Sequence, residues 1–211
     1  MSRNRSRIRR AAAVAAAGAA ALVLAACGSS GDGDAAAHDG HGSASKSPAA
    51  SSPAKQGEHN AADVAFAQGM IPHHRQAVEM ADLAESRAGS DDVKKLAEEI
   101  EKAQDPEIKT LSGWLTKWGE EVPKDGAMDH SAHGMGGMMT PEEMGKLEKA
   151  SGKAFDTAFM ELMIKHHEGA VTMAKTEKAD GSFPDAKKMA DAIIKSQSAE
   201  IARMNDLLGK D

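Results

Sequence analysis

Two stretches of the chain place a methionine just before a pair of adjacent histidines. They read Met-Ile-Pro-His-His at residues 70–74 and Met-Ile-Lys-His-His at residues 163–167, and a second methionine follows each pair, at Met80 and Met173. Imidazole nitrogen and thioether sulfur are both competent ligands for a soft metal ion such as Cu(I). Methionine is not among the usual ligands of zinc. The residue types therefore favour copper, and histidine adds the capacity to hold Cu(II).

Both motifs belong to a longer internal repeat. Residues 63–115 (the first unit) align with residues 156–208 (the second unit) at a constant offset of 93 without a gap, and 21 of the 53 aligned positions are identical. This repetition excludes coincidence as the origin of the two His-His pairs. Because an α-helix turns about 100° per residue, the histidines of each pair lie at the two edges of the apolar helix face.

Two hypotheses explain histidines near a helical core, where an unpaired polar group costs about 1–3 kcal/mol. In the first, each imidazole donates to a carboxylate on the partner helix, Glu107 or Glu200, and the motif is a structural polar layer. In the second, the imidazoles bind a metal ion and these carboxylates orient them from behind. The duplicated motif favours metal binding. Met204 is a further candidate ligand, although the first unit has Leu111 at the equivalent position.

The connection between the two units is rich in methionine and histidine. Residues 119–139 are otherwise Gly-rich and polar, so the stretch is not expected to form part of the core. Its candidate ligands are Met128, His130, His133, Met135, Met138 and Met139. Loops often carry function, and this one is predicted to recruit or deliver the metal. A loop with incidental methionines is the alternative.

The pattern of apolar residues and helix breakers predicts an all-α fold. Residues 60–118 are predicted to form one helical hairpin, with a turn at residues 89–91, and residues 140–209 a second hairpin. The Thr-Pro-Glu-Glu sequence at residues 140–143 is typical of a capping box with proline at the first helical position, so one helix is predicted from there to about Ala179. Neither hairpin can bury its apolar face alone, which predicts a four-helix bundle in a single domain.

The beginning of the chain has the features of a bacterial lipoprotein signal peptide. Residues 1–26 hold five Arg without an acidic residue, then a short apolar run that ends in Leu-Ala-Ala before Cys27. Cleavage would leave Cys27 as a lipid-modified N-terminus, and residues 27–59 are predicted to be a flexible tether. The expected location is extracytoplasmic, with a lipid anchor in the cell membrane. A cleaved secretory signal with an incidental cysteine is the alternative.

Charge and cysteine usage narrow the choice of partners. Removal of the signal peptide takes the formal net charge from −6 to −11, which argues against nucleic acid as a partner. Once Cys27 is lipidated no free thiol remains, as suits an oxidising compartment. Thioethers do not form disulfides, so methionine can bind Cu(I) where thiols would tend to oxidise.

The motifs also carry a family resemblance. The pattern Phe-x3-Met-Ile-x-His-His-x2-Ala-Val-x-Met-Ala followed by Gln-x2-Glu-Ile, at residues 66–108 and again at 159–201, resembles the bacterial family known as domain of unknown function 305. The stretch at residues 137–144 resembles it too. The resemblance implies a ferritin-like helical bundle in an exported protein, and some members are associated with copper. The ligands that it implies are Met70, His73, His74, Met80, Met163, His166, His167 and Met173.

Three functions follow as hypotheses. The first is an exported, lipid-anchored protein that sequesters copper, preferably as Cu(I), or exchanges it with a donor or acceptor protein. The second is a ferritin-like di-iron oxidase, but such sites use Glu-x-x-His pairs and the chain has Gln-x-x-Glu at residues 104–107 and 197–200. The third is a structural or sensory lipoprotein without metal. No activated Ser or Cys is evident, and the chain is predicted not to be an enzyme.

Overall fold

A computed structural model describes residues 58–124 and 136–210 of the chain. These residues form five helices: α1 (Ala61–Arg87), α2 (Asp91–Trp118), α3 (Pro141–Lys149), α4 (Gly152–Asp180) and α5 (Pro184–Leu208). The described residues contain no β-strand, and one isolated bridge joins Ala88 to Gly152. The all-α prediction is confirmed, whereas the ferritin-like four-helix bundle of duplicated hairpins stays a prediction.

Three of the five helices in the described residues begin where a side chain satisfies free backbone N–H groups. Asn60 caps α1 in a capping box with Asp63, and Ser90 accepts a hydrogen bond from the second residue of α2. Thr140 forms the predicted capping box with Glu143 at the start of α3. These caps fix the beginnings of α1, α2 and α3, whereas, within the described part of the chain, α4 and α5 begin without a side-chain cap.

The second unit is preceded by a break that the sequence pattern did not predict. One continuous helix was expected from Thr140 to about Ala179, but α3 ends at Lys149 and α4 begins at Gly152. Ser151 is extended, and the φ of Gly152 is 58°, in the left-handed region that glycine adopts without steric cost. The prediction of a single helix is therefore wrong, because the Ser-Gly pair lets the backbone change direction.

α1 packs against α2, α4 packs against α5, and α1 and α4 also contact each other. Asn60 at the start of α1 donates to the carbonyl of Asp180 at the end of α4, with a distance of 2.8 Å. Gly89, just after α1, donates to Asp156 Oδ1 near the start of α4 at 2.9 Å. The two central helices are thus antiparallel, and side chains on their facing surfaces are covered by both hairpins.

The apolar core divides into two halves along α1 and α4. In α1, the buried residues of the first half run up to Ile71 and those of the second half begin at Ala77. In α4, the buried residues of the second half run up to Met163 and those of the first half begin at Ala170. We call the half that includes buried side chains of α3 the α3 half. The half against which the two tryptophans pack is the tryptophan half. All four motif histidines fall between these halves.

Several predictions concern residues outside the described part of the chain. These are the signal peptide, lipidation at Cys27, most of the tether, and the loop ligands Met128, His130, His133 and Met135. Among residues 58–124 and 136–210, no helix combines the length and the apolar character that a membrane crossing needs. The predicted domain boundaries stay predictions.

Candidate metal centre

The rings of His73 and His166 lie against each other at the centre of the α1–α4 contact. Their centroids are 3.7 Å apart and their planes are tilted by 42°. Both residues are buried, with relative exposures of 0% and 1%. None of their four ring nitrogens has a hydrogen-bond partner among the described residues. A buried polar group without a partner costs about 1–3 kcal/mol, so this pair destabilises the fold unless a ligand occupies it.

The surroundings keep both imidazoles neutral. Burial, followed by the smaller effects of His74 and His167, lowers the pKa of His73 to about 3. The backbone carbonyl of Gly136 opposes this shift, although it does not reach hydrogen-bond geometry with the ring. The pKa of His166 is also lowered well below its ordinary value, by burial and then by the other three histidines. A neutral imidazole keeps the lone pair that a metal ion needs.

A carboxylate fixes the second histidine of each pair. His74 Nε2 lies 2.7 Å from Glu107 Oε2, and His167 Nε2 lies 2.6 Å from Glu200 Oε2. An ionised carboxylate can only accept, so each Nε2 donates, and in the neutral form of the imidazole Nδ1 keeps a lone pair. Neither Nδ1 has a partner in the part of the chain that the structure describes. A carboxylate that orients an imidazole in this way is the usual second shell of a metal-bound histidine.

The two hypotheses for the histidines therefore apply to different members of the motif. The structure gives His74 and His167 the carboxylate partners that a polar layer requires. Among residues 58–124 and 136–210 it gives no such partner to His73 and His166. A purely structural layer accounts for the first two side chains and leaves the central two without a physical reason for their burial.

The methionines of the two motifs are shared between the core halves. Met80 and Met163 are fully buried in the α3 half. Met70 is fully buried in the tryptophan half, where Met173 packs against it from a partly buried position. Each half thus receives one methionine from each motif, with the histidines between them.

The remaining candidate ligands break this symmetry. Met204 is buried in the α3 half, whereas Leu111 fills the equivalent position in the tryptophan half. Met139 is 3% exposed and also belongs to the α3 half, and Met138 is partly buried. The expectation that residues 119–139 contribute nothing to the core is therefore wrong at the end of this stretch, because backbone hydrogen bonds hold Met139 inside.

The donor set of the centre is mixed nitrogen and sulfur. Within the described residues, no three His, Cys, Asp or Glu side chains come together in a group that could hold a metal ion. A metal ion at the central imidazoles would take its other ligands from thioether sulfur, which suits a soft ion. Neutral imidazoles and buried methionines fit Cu(I), and imidazole nitrogen alone also fits Cu(II).

Sequence reasoning missed three residues that build the centre or its frame. Gln76 is buried, and its side-chain amide donates to the carbonyl of Met139 and accepts from the N–H of Met139. Its signal was a departure from the repeat, since the second unit has Gly169 at the equivalent position. Asp63, which accepts hydrogen bonds from the turn between α4 and α5, lies beside the buried Glu177.

Comparison with known proteins agrees with the motif. A family model for a domain of unknown function, DUF305, matches residues 63–208. A solved DUF305 protein from Streptomyces coelicolor is 37% identical, with a TM-score of 0.64, over 71% of this chain and 93% of that chain. A DUF305 fragment from Deinococcus radiodurans is 29% identical, with a TM-score of 0.64, over 72% and 98% of the two chains.

Copper appears among the similar solved structures. CopM in its Cu(II)-bound form is 38% identical, with a TM-score of 0.61, over 69% of this chain and 94% of that chain. CopM has also been solved in Cu(I)-bound and Ag-bound forms. No curated protein matches the chain. The match over most of the helical region and these identities place the chain in the DUF305 family.

Proposed function

We propose that this protein binds copper outside the cytoplasm and either sequesters it or transfers it to a partner protein. The observation that carries the proposal is the buried pair His73 and His166, whose ring nitrogens are neutral and unpartnered among the described residues. Such a pair is costly in an empty core. A bound metal ion offsets that cost.

The ligand types support Cu(I) as the principal cargo. Soft thioethers select Cu(I), and imidazole serves both oxidation states of copper. Met80 and Met163 lie on one side of the histidines and Met70 and Met173 on the other. The existence of CopM structures with Cu(II), Cu(I) and Ag supports the same cargo class. In this proposal Glu107 and Glu200 orient the outer histidines from behind.

The arrangement of the whole protein is part of the proposal. The helices 60–118 and 140–209 would form a ferritin-like four-helix bundle of duplicated hairpins, supported by the equivalent histidine–carboxylate pairs of the two units. Lipid on Cys27 would anchor this bundle to the outer face of the membrane through the tether. The loop residues Met128, His130, His133, Met135 and Met138 would recruit or deliver copper.

Binding, and not catalysis, is the role that the centre supports. A di-iron oxidase needs carboxylates that bridge two ions, together with Glu-x-x-His pairs. The partner helices instead present Gln104 with Glu107 and Gln197 with Glu200. Within the described residues, both glutamates are engaged with histidines. The donor set therefore favours a copper carrier over an iron oxidase.

The proposal is tested by anaerobic Cu(I) titration against a chromophoric competitor. The test variant replaces all four histidines: His73→Leu and His166→Leu, with His74→Gln and His167→Gln to keep a donor for each carboxylate. We expect tight, stoichiometric binding by the wild type and its loss in the variant. The control His59→Gln removes a histidine that stacks on Trp118, away from the centre, and should bind as the wild type does.

Two outcomes would count against the proposal. Wild-type protein that does not compete for Cu(I) would reduce the motif to structural packing, and a melting temperature unchanged by copper would agree with that, since a ligand of the folded state raises it. Tight binding that survives in the four-histidine variant would move the site elsewhere in the chain.

A further inference from the structure

The end of the connecting segment, residues 136–139, is fixed beside the histidine pair by one side chain. Gln76 Nε2 donates to the carbonyl of Met139 at 2.9 Å, and Gln76 Oε1 accepts from the N–H of Met139 at 2.7 Å. Gln76 is 1% exposed and Met139 is 3% exposed. Two buried hydrogen bonds to one residue set both the position and the direction of its backbone, so the Met139 side chain leaves the segment in a defined place.

Two glycines let the segment lie directly on α4. A Cβ atom at Gly169 would overlap the carbonyl of Gly136, and one at Gly137 would lie 2.6 Å from the carbonyl oxygen of Lys165. The φ of Gly137 is 91°, which disfavours any other residue. Gln76 and Gly169 occupy equivalent positions of the two units. The first unit therefore holds the segment through Gln76, and the second unit makes room for it through Gly169. The two units differ at this position, and both residues contact the same segment.

The two hydrogen bonds from Gln76 place Met139 at the same height along the helix axes as Met163. His73 faces His166 and the two central helices are antiparallel, so the turn of α1 that carries Gln76 lies opposite the turn of α4 that carries Met163. Both methionines are buried in the α3 half. Met163 precedes His166 by three residues, about one helical turn.

A third methionine shares this level. α4 and α5 form an antiparallel hairpin in which His167 pairs with Glu200, so Met163 lies opposite Met204, which is fully buried. The equivalent level of the tryptophan half holds Met70 and Leu111, whereas Met139 is buried in the α3 half. The two sides of the histidine pair therefore differ in sulfur content.

We propose that Met139 is a resident thioether ligand at the α3 side of the His73–His166 pair, and that Gln76 is the residue that positions it. With Met163 and Met204 it gives this side a sulfur-rich site for a soft monovalent ion, Cu(I) or Ag(I). In the described residues the tryptophan side has no counterpart of Met139, and it has Leu111 in place of Met204. We therefore expect it to bind such an ion more weakly. This inference rests on the proposed copper function and assigns the unequal affinities of the two sides.

The test compares Met139→Leu with Met160→Leu in the full purified chain, because Met160 is buried in the same half of the core and is not a candidate ligand. Leucine keeps the volume and apolar character of methionine, so both variants should fold. Ag(I) and Cu(I) affinities are measured by competition under anaerobic conditions, and the copper X-ray absorption spectrum counts sulfur neighbours. We expect Met139→Leu to lose about tenfold or more in affinity and one sulfur neighbour. Met160→Leu should match the wild type in both measurements.

The positioning role is tested with Gln76→Leu, which removes both hydrogen bonds to Met139. Its expected loss of Ag(I) affinity is on the order of 10–100-fold, as for other residues that orient a ligand. Combining it with Met139→Leu should add little, because both changes remove the same sulfur. If Gln76→Leu does not fold, Met139→Leu alone still decides the assignment of the ligand.

Failure of the inference is distinguishable from failure of the proposed function. A wild type that binds no Cu(I) or Ag(I) overturns both. A wild type that binds tightly, with Met139→Leu equal to Met160→Leu in affinity and sulfur count, overturns only the inference and leaves the histidine pair as the centre.

Discussion

His73 and His166 occupy equivalent positions of the two units, and their rings meet at a centroid distance of 3.7 Å where α1 crosses α4. The contact buries two imidazoles with no hydrogen-bond partner among the described residues. Such a pair lowers the stability of the metal-free protein in exchange for a pre-arranged set of donors. Stability and binding should therefore respond in opposite directions when it is removed.

The double variant His73→Leu, His166→Leu tests this relationship. We expect the free energy of unfolding of the metal-free protein to rise by about 1–3 kcal/mol, because unpaired buried polar groups are replaced by apolar ones. The rise in melting temperature on addition of Cu(I) should disappear. Thermal unfolding of both proteins with and without copper measures both effects. A metal-free variant less stable than the wild type, with its copper response intact, would contradict the account.

Glu107 and Glu200, the carboxylates that contact His74 and His167, should affect the affinity for copper and not the stability of the fold. Glu107→Gln and Glu200→Gln are each expected to weaken copper binding by about 10–100-fold, because the imidazoles lose the charge that orients them. Glu161→Gln is the control, since it breaks the exposed ion pair with Lys210. Competition titrations of the three variants give the comparison. Unchanged affinity in the first two would assign those carboxylates a packing role.

Gly169→Ala tests whether the connecting segment packs directly on α4. Glycine to alanine inside a helix ordinarily stabilises by roughly 0.5–1 kcal/mol. At this position the new methyl group meets the backbone of Gly136 and Gly137, so we expect lower stability and weaker copper binding. Gly113→Ala in α2 is the matched control, because its Cβ would meet nothing within 4 Å. Stabilisation by both substitutions would show that the segment does not rest on α4.

The buried pair Asp63 and Glu177 predicts a specific pH dependence of stability. Burial, and then the nearby carboxylate of Asp63 with its charge, raise the pKa of Glu177 from 4.5 to about 8. Between these two pH values the unfolded chain releases this proton and the folded protein keeps it. This residue therefore makes the folded state progressively less stable as the pH rises across that window.

Glu177→Gln removes the titration and keeps a hydrogen-bond donor for Asp63. The melting temperature of the variant minus that of the wild type should increase from pH 5 to pH 8, both within the window set by the pKa of Glu177. Glu168→Gln, an exposed position of α4, controls for loss of a surface charge. A constant difference across this range would mean that Glu177 is already ionised in the folded protein.

Much of the helical layout could be predicted because its signals are local. The turn predicted at residues 89–91 separates α1 from α2, which begins at Asp91, and the capping box predicted at Thr140 starts α3. The break before Gly152 was missed because an apolar helical pattern continues on both sides of it. A period of 3.6 residues does not report a change in backbone direction.

The sequence predicts which residues form the centre, but it does not predict which of them contact one another. Helical spacing placed the four histidines at the core, but nothing local distinguishes His73 from His74. Which of them gains a carboxylate and which meets its counterpart depends on how two hairpins pack. The burial of Met139 was also beyond a composition argument, since it depends on hydrogen bonds from Gln76, 63 residues earlier in the chain.

The most direct test of the central claim is an imidazole ¹⁵N NMR spectrum of the protein during titration with Ag(I), a diamagnetic stand-in for Cu(I). With the ring resonances assigned by single substitutions, the account predicts that one equivalent shifts ring nitrogens of His73 and His166 while His59 stays unchanged. Central resonances that remain in place while only the loop histidines His130 and His133 respond would contradict it, and the metal would then belong to the loop.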